Sequence, residues 1–534
     1  MDQKNCRNCQ KIFVITDDDK NFYGRMRVPS PTLCPDCRAQ RRWAFRNQYN
    51  LYHRKCDFSG KEIISLYSQD KPYKIYDEEI WWSDKWNALD YGRDFDFSRP
   101  FFEQFNELLL AVPRRSMNQD GTNENCKYIT FGMANKNCYL AFACFYSEDV
   151  YYSTGTSFSK DCLDSFRCTE CQLVYECSNS HKCYQCAYLN DCSECLDSYL
   201  LTDCKNCKSC IACKNLRNKE FHIYNKPASK EEFEAFKMKL LEEETDKYIK
   251  EFNEWELKLP TIFAHIQNSE NCTGNYIENA HNCYYCFDVL MGAQDLKYCF
   301  NAGWKGKDMM DCHMAGKESD LLYEMHATTN AHNSAFCSLF RGGSDCYYCD
   351  NTSSTNNCFG CTGLVHKDYC ILNKQYSKED YLKLLPRIIE HMQKTGEWGE
   401  FFPAEISPFA YNETMANDYY EMPKEEVLAK GWKWKEKESK EREVANANGE
   451  LLTCKTCQKP YKIISQEEIL YQKIGVNKPK ECYECRLKRR FNARNPYKLW
   501  ERQCAKCGSP LFTSYSPERK DIIYCEKCYL AEVY

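Results

Sequence analysis

The sequence has no long hydrophobic run. Its longest aliphatic run, Leu108–Val112, is five residues, far short of the ~18 that a membrane-spanning helix needs. The first ten residues, MDQKNCRNCQ, are polar and lack the apolar core of a secretory signal. Histidine is sparse, at 10 in 534 residues, and none stands in an H-E-x-x-H pattern. Walker and dinucleotide-binding glycine patterns are missing, as is a nucleophile elbow. His281 and His313 adjoin cysteines (His281-Asn282-Cys283 and Cys312-His313) as stray ligands, Cys–His pairs or ordinary core residues. These absences weigh against an enzyme and against a membrane protein. The expectation is a cytoplasmic protein whose thiols are reduced or metal-bound.

What is abundant is cysteine, 39 residues in all. That density marks disulfides in a short secreted chain and metal ligation in an intracellular one. Hydrophobic content of 43% and aromatic content of 15% suffice for folded cores. Charge is uneven. Residues 1–56 carry 12 Lys/Arg against 5 Asp/Glu, and residues 451–534 carry 17 against 9. The total is −5, so residues 57–450 hold −20. Two basic ends flank an acidic middle.

The ends are copies. Adding 448 carries Cys6, Cys9, Cys34 and Cys37 onto Cys454, Cys457, Cys482 and Cys485, and Arg38, Arg41, Arg42 and Arg46 onto Arg486, Arg489, Arg490 and Arg494. A second duplication lies inside the first: at an offset of 148, Ile223, Asn225, Lys226 and Ser229 fall on Ile371, Asn373, Lys374 and Ser377. Both copies run from a cysteine-rich stretch through I-x-N-K-x-x-S-K-E into a capped helix, and Pro386 is expected to kink the second. The order is A–B–B′–A′. The expected fold is a mixed α+β multidomain chain: small zinc-ribbon or treble-clef modules at both ends flank two Cys-rich parallel β-solenoid-like units, each followed by a helix. The boundaries expected are 1–50 (finger), 51–100 (degenerate second finger), 101–249 and 250–396 (solenoid units), 397–450 (charged linker, most evident over 436–450), 451–498 (finger) and 499–534 (C-terminal ribbon).

Paired C-x-x-C knuckles suit Zn²⁺, which is borderline soft and accepts tetrahedral S₄ coordination. Three sets qualify: Cys6, Cys9, Cys34 and Cys37; Cys454, Cys457, Cys482 and Cys485; and Cys504, Cys507, Cys525 and Cys528. Three structural zinc ions are expected. Four thiolates leave no coordination position for water, so none of these sites is hydrolytic. The register predicts a fourth set at 56, 59, 77 and 80, but the residues there are Cys56, Ser59, Asp77 and Ile80. That half is expected to be held by packing, with Trp81, Trp82 and Trp86 as fillers.

The knuckles with Phe13 or Tyr461, Phe22-Tyr23 or Leu470-Tyr471, Pro31 or Pro479, and C-x-x-C-R at Cys34–Arg38 or Cys482–Arg486 resemble a zinc-ribbon, treble-clef-like domain. With WWSDKW, YGRDFDF and YCEKCYLAEVY, the layout resembles a large uncharacterised zinc-ribbon family of candidate-phyla bacteria. The resemblance implies zinc binding and a cytoplasmic bacterial protein, and brings no activity with it.

From Cys126 to Cys213 all fifteen cysteines fall at residue numbers divisible by three. A 3₁₀ helix does not persist so long, and a polyproline-II bundle shares the period. The favoured reading is a narrow parallel solenoid with one inward residue per triplet. Steps of fifteen at Cys162, Cys177, Cys192 and Cys207 suggest fifteen residues per coil. In B′ the cysteines from Cys337 to Cys370 keep one common phase, shared by Cys283 and Cys286, and Cys272, Cys299 and Cys312 fall out of it. These cysteines are read as core packing, with further metal sites or redox-active thiols as alternatives.

Arg38, Arg41, Arg42 and Arg46, mirrored by Arg486, Arg489, Arg490 and Arg494, share one helix face after a knuckle. A zinc-held helix would present them to phosphates, with Trp43, Phe45 and Phe491 for stacking. The alternatives are a solvated basic face or an acidic protein surface, which includes the chain's own middle. The functional expectation is a zinc-binding scaffold whose fingers bind RNA, single-stranded nucleic acid or a ribonucleoprotein surface. Two others stand beside it: a protein-interaction scaffold docking acidic partners, and a thiol redox or metal-storage protein.

Overall fold

The computed structural model describes residues 1–119, 121–243, 245–436 and 450–534. At its centre lie two parallel β-solenoids. The first carries an eight-stranded sheet running from Glu148–Tyr151 to Lys226–Pro227, the second a nine-stranded sheet from His281–Tyr284 to Lys374–Gln375.

The period of three has a backbone cause. From Asn137 through Tyr152 every third residue has a positive φ, and the pattern continues from Phe158 to Tyr224. Each such residue turns the chain; the next, such as Cys162 or Cys186, points inward and is wholly buried. Four corners close a coil. Lys160 lies opposite Gln172, and Gln172 opposite Tyr184, so each coil takes twelve residues rather than the expected fifteen. The fifteen-residue steps are five triplets and match no repeat of the backbone.

Most inward residues are small and carry a heteroatom that the backbone can use, with Val150, Val174, Leu189 and Leu201 among the apolar exceptions. The Cys171 thiol donates to the Ser180 carbonyl at 3.5 Å, and that of Cys204 to the Cys213 carbonyl at 3.6 Å. The same ladders accept: Cys138 N–H donates to Cys126 Sγ at 3.2 Å, and Ser165 N–H to Ser153 Oγ at 3.0 Å. Cysteine and serine fill a thin core and satisfy corner groups that would otherwise be buried without partners.

The irregular phase of B′ has a length explanation. Its first coil is eleven residues, from Glu270 to His281. Three thirteen-residue coils follow, from His281 to Gln294, Lys307 and Asp320. Each extra residue shifts the phase by one, and three restore it by Cys337. Cys286, Cys299 and Cys312 therefore remain on one ladder.

The I-x-N-K blocks end the solenoids. Ile223 pairs antiparallel with Lys226, and Ile371 with Lys374. The asparagine of each block bonds both the N–H and the C=O of a last-coil residue, Asn225 with Lys214 and Asn373 with Thr362. This seals an edge that could template further strands. Ser229 and Ser377 then cap helices. The second, Lys378–Thr395, runs through Pro386 as one helix.

The duplicated ends fold alike. In each finger a β-hairpin carries the first knuckle, and the second knuckle starts a helix, Pro35–Trp43 or Tyr483–Ala493. The second ribbons add a strand to the lead-in of a solenoid: Ile75 pairs with Arg114 before B, and Ile523 with Thr261 before B′. Residues 397–436, expected within a linker, are a packed strap, with Trp398, Phe401, Phe402, Phe409, Tyr411 and Met415 buried. The remainder of that linker, residues 437–449, lies outside the described residues.

A thin core predicts asymmetric tolerance. Cys186→Ser should fold, at a cost on the order of 1 kcal/mol for the altered buried group. Cys186→Phe should lose at least the ~1–3 kcal/mol of overpacking, measured by thermal unfolding followed by circular dichroism.

Candidate metal centres and the arginine clamp

Among the described residues, three groups could hold a metal ion, and they are the three expected four-cysteine sets. Within each group the sulfurs lie within 4.8 Å of one another. Cys9 and Cys34 Sγ are 3.7 Å apart, as are Cys457 and Cys482, while Cys507 and Cys525 are at 3.8 Å. A tetrahedron with metal–sulfur bonds of about 2.3 Å has edges of about 3.8 Å. The donor set and its size fit a four-coordinate thiophilic ion.

The hairpin backbone prepares the ligands. Burial opposes ionisation of the first cysteine of each set, yet backbone amides outweigh it. Those of Cys9, Cys34 and Asn8 pull the Cys6 thiol down to about 6. Cys454 and Cys504 are likewise drawn to about 6 by the amides around them. Thiolate is the ligating form.

The decayed fourth set keeps the shape of a site. The amides of Ser59 and Asp77 donate to Cys56 Sγ at 3.5 and 3.4 Å, and Ser59 Oγ donates to Asp77 at 3.3 Å. Asp77 caps the next helix through Ile80 N–H at 2.9 Å, at the position Cys525 holds in the twin. Trp81 and Trp86 pack here as expected, but Trp82 is largely exposed.

The arginines are not free for phosphates. Arg38 pairs with Asp311 at 2.8 Å; Arg42 reaches Asp311 at 3.4 Å and Glu324 at 3.2 Å; Arg41 bonds Glu324 at 2.9 Å and Glu400 at 2.7 Å. The C-terminal copy repeats this. Arg486 pairs with Asp164 at 2.9 Å, Arg490 with Asp164 at 2.7 Å and Glu176 at 3.3 Å, and Arg489 with Glu176 at 2.8 Å. Side chains of Arg42, Asp311 and Glu324 are 0% exposed, Arg41 is 12% exposed, and Arg489, at 50%, is the most exposed of the six arginines. Arg46 lies over the Phe131 ring at 3.6 Å and against His326, and burial lowers its guanidinium to about 9. Its twin Arg494 covers Phe166 at 3.9 Å and faces Asp288 at 3.6 Å. The eight arginines expected to meet nucleic acid are thus engaged within the chain, and seven of their side chains are at most 12% exposed. Acidic residues of the solenoids pair with all of them except Arg46, which rests on Phe131 and His326.

The partners are placed by the coil. Asp311 and Glu324 are corner residues one coil apart, as are Asp164 and Glu176. Neighbouring coils lie about 4.8 Å apart, so two carboxylates stack within reach of arginines at i, i+3 and i+4. The N-terminal finger thus grips the second solenoid and the C-terminal finger the first. These acids were missed from sequence; the signal was a carboxylate pair recurring in both units at nearly the offset of the duplication. His313 and His326 lie within this interface, stacked 5.8 Å apart beneath Trp43 and held neutral by burial and Arg46.

The cysteines between Cys126 and Cys213 form no group of metal-binding size among the described residues. No helix of the described residues is long and apolar enough to cross a membrane. No family model matches the chain, and no curated protein does. Among solved structures the chain is similar to a protein described as an acetyltransferase from Desulfovibrio desulfuricans G20, at 11% identity and a TM-score of 0.11. The match covers 43% of this chain and 64% of that one. So slight a likeness carries no argument.

Arg42→Ala leaves two buried carboxylates short of a partner and should cost about 3–5 kcal/mol, as should Arg490→Ala, measured by denaturant unfolding. Acid should release the metal. Folding lowers the first thiol of each set from 9.0 to about 6, so its contribution is complete above pH 9 and is lost as pH falls through 6. A chromogenic chelator should report little free metal at pH 7.5 and rising release below about pH 6.

Proposed function

We propose that the chain is a non-catalytic scaffold in which zinc-stapled fingers lock two β-solenoids into one fixed body. The observation that carries this is the pair of matching ion-pair clamps, Arg38/Arg41/Arg42 on Asp311 and Glu324, and Arg486/Arg489/Arg490 on Asp164 and Glu176. Each clamp sits on a helix that begins at a C-x-x-C knuckle. Zinc is the ion of choice because S₄ donors suit it and it brings no redox chemistry. Its role is to fix where the helix starts, and through that the aim of the arginines. The resemblance to the candidate-phyla zinc-ribbon family agrees with this reading.

Nucleic-acid binding by the fingers finds little support once their arginines are engaged internally. A protein-interaction role is favoured by a different surface. Tyr146 and Phe158, 47% and 48% exposed, stack at 5.0 Å, and Phe145 meets Trp304 of the other solenoid at 6.2 Å. Leu290 and Met291 are exposed on the neighbouring coil. This apolar patch continues the seam between the solenoids and is of the kind that meets protein partners.

Elemental analysis should find three zinc ions per chain, and stripping them should enlarge the hydrodynamic radius as the clamps release. A folded, unexpanded metal-free chain would refute the scaffold. A photo-crosslinker at position 158 should capture protein rather than RNA; RNA adducts there would return the nucleic-acid reading.

A further inference from the structure

Outside the three four-cysteine groups every cysteine is buried except Cys272. It sits on the first coil of the second solenoid, the end with no sealing hairpin. Its thiol is held by the carbonyls of Glu270 at 3.2 Å and Ala280 at 3.7 Å. Both residues line an open cleft of about 570 Å³, with Ser269, Asn279, His281 and Gln294 among its other walls. Behind Cys272, Cys283 is the inward residue of the next coil, fully buried and at the equivalent position one coil on.

We infer that Cys272 and Cys283 form a dithiol site for hydroperoxides, Cys272 attacking and Cys283 resolving. The register permits it. Thr273 N–H donates to the Cys283 carbonyl at 2.8 Å, which sets the two strands side by side. Adjacent strands lie about 4.8 Å apart, inside the ~4.4–6.8 Å Cα window of a disulfide. Hydrogen bonds with Cys272 and Cys286 draw Cys283 below the usual thiol range, to about 4, and Cys272 rises in return. The pair thus shares one easily lost proton, with His281 nearby favouring the anion.

The chemistry balances in two steps. Cys272 passes its proton to the Cys283 thiolate as its sulfur attacks the peroxide oxygen; the O–O bond breaks, Cys272 becomes a sulfenic acid, and the leaving oxygen takes the proton back from Cys283 and departs as water or an alcohol. The Cys283 sulfur then attacks the sulfenic sulfur, forming the S–S bond and releasing water. The hydroperoxide is the oxidant and takes both electrons. A bond formed across adjacent strands at an exposed end is of the labile, reversible kind.

The first solenoid supplies an internal control. Cys126 and Cys138 occupy its first coil in the same way, with Cys138 N–H on Cys126 Sγ, but Cys126 is only 7% exposed. Access therefore distinguishes the two sites.

The test uses the full metal-loaded chain with hydrogen peroxide, alkylation and peptide mass mapping. A Cys272–Cys283 disulfide should form before zinc is released, at least ten-fold faster than any change at Cys126, and should reverse with dithiothreitol. In Cys283→Ser, a substitution in keeping with the serines of these ladders, Cys272 should persist as a sulfenic acid captured by dimedone. In Cys272→Ser, Cys283 should stay a free thiol. Zinc loss with Cys272 untouched would overturn the proposal. So would a folded Cys283→Ser protein giving no dimedone adduct, or a wild-type product that is a sulfinic acid at Cys272 without the bond to Cys283.

Discussion

Two buried carboxylates, stacked one coil apart and gripped by arginines from a single helix, are the contact on which the arrangement of this molecule depends. Charges taken out of water are costly unless paired and hydrogen-bonded on all sides. Asp311 with Glu324, and Asp164 with Glu176, find their arginine partners only when the finger helix sits in one position. The clamp is therefore a register device more than a source of stability. A metal ion held by the four cysteines would act one step earlier, because the helix begins at the second knuckle and its arginines follow at fixed turns. Metal, helix, ion pairs and solenoid face form one chain of dependence, present twice and crossed: each end of the polypeptide grips the solenoid farther along the chain from it.

The solenoids show how packing and hydrogen bonding alone can fill a core with cysteine. A coil of four three-residue sides leaves an interior too thin for leucine at every step, and its corners point N–H and C=O groups inward. A thiol or hydroxyl both fills that volume and bonds those groups. Ser153 and Cys126 take the same acceptor role on neighbouring ladders. Cysteine is favoured over serine where apolar burial matters, since a thiol loses less on leaving water.

The second N-terminal ribbon keeps one cysteine, Cys56, of the four that its twin carries, in a fold that still holds their geometry. Cys56 keeps its two amide donors, and Asp77 replaces a ligand with a helix cap. Trp81 closes the gap by bonding the Pro113 carbonyl at 3.2 Å. Packing and capping can stand in for a metal where the ribbon already pairs with the lead-in strand of a solenoid.

Much of this was legible in the sequence. The knuckle spacing determined the three four-cysteine groups, since C-x-x-C geometry is local. The duplication and the period of three likewise determined the order of modules and a parallel solenoid, because backbone repeats leave periodic side chains. Coil length was not legible, because triplets look alike whether four or five close a turn; only the pairing of Lys160 with Gln172 decides it. Nor was the use of the arginines. A basic stripe looks the same whether it awaits a phosphate or a carboxylate, and Asp311 lies 269 residues from Arg42 along the chain. The tertiary structure alone brought Asp311 and Glu324 beneath Arg42, because stacking successive coils turns residues thirteen apart into neighbours.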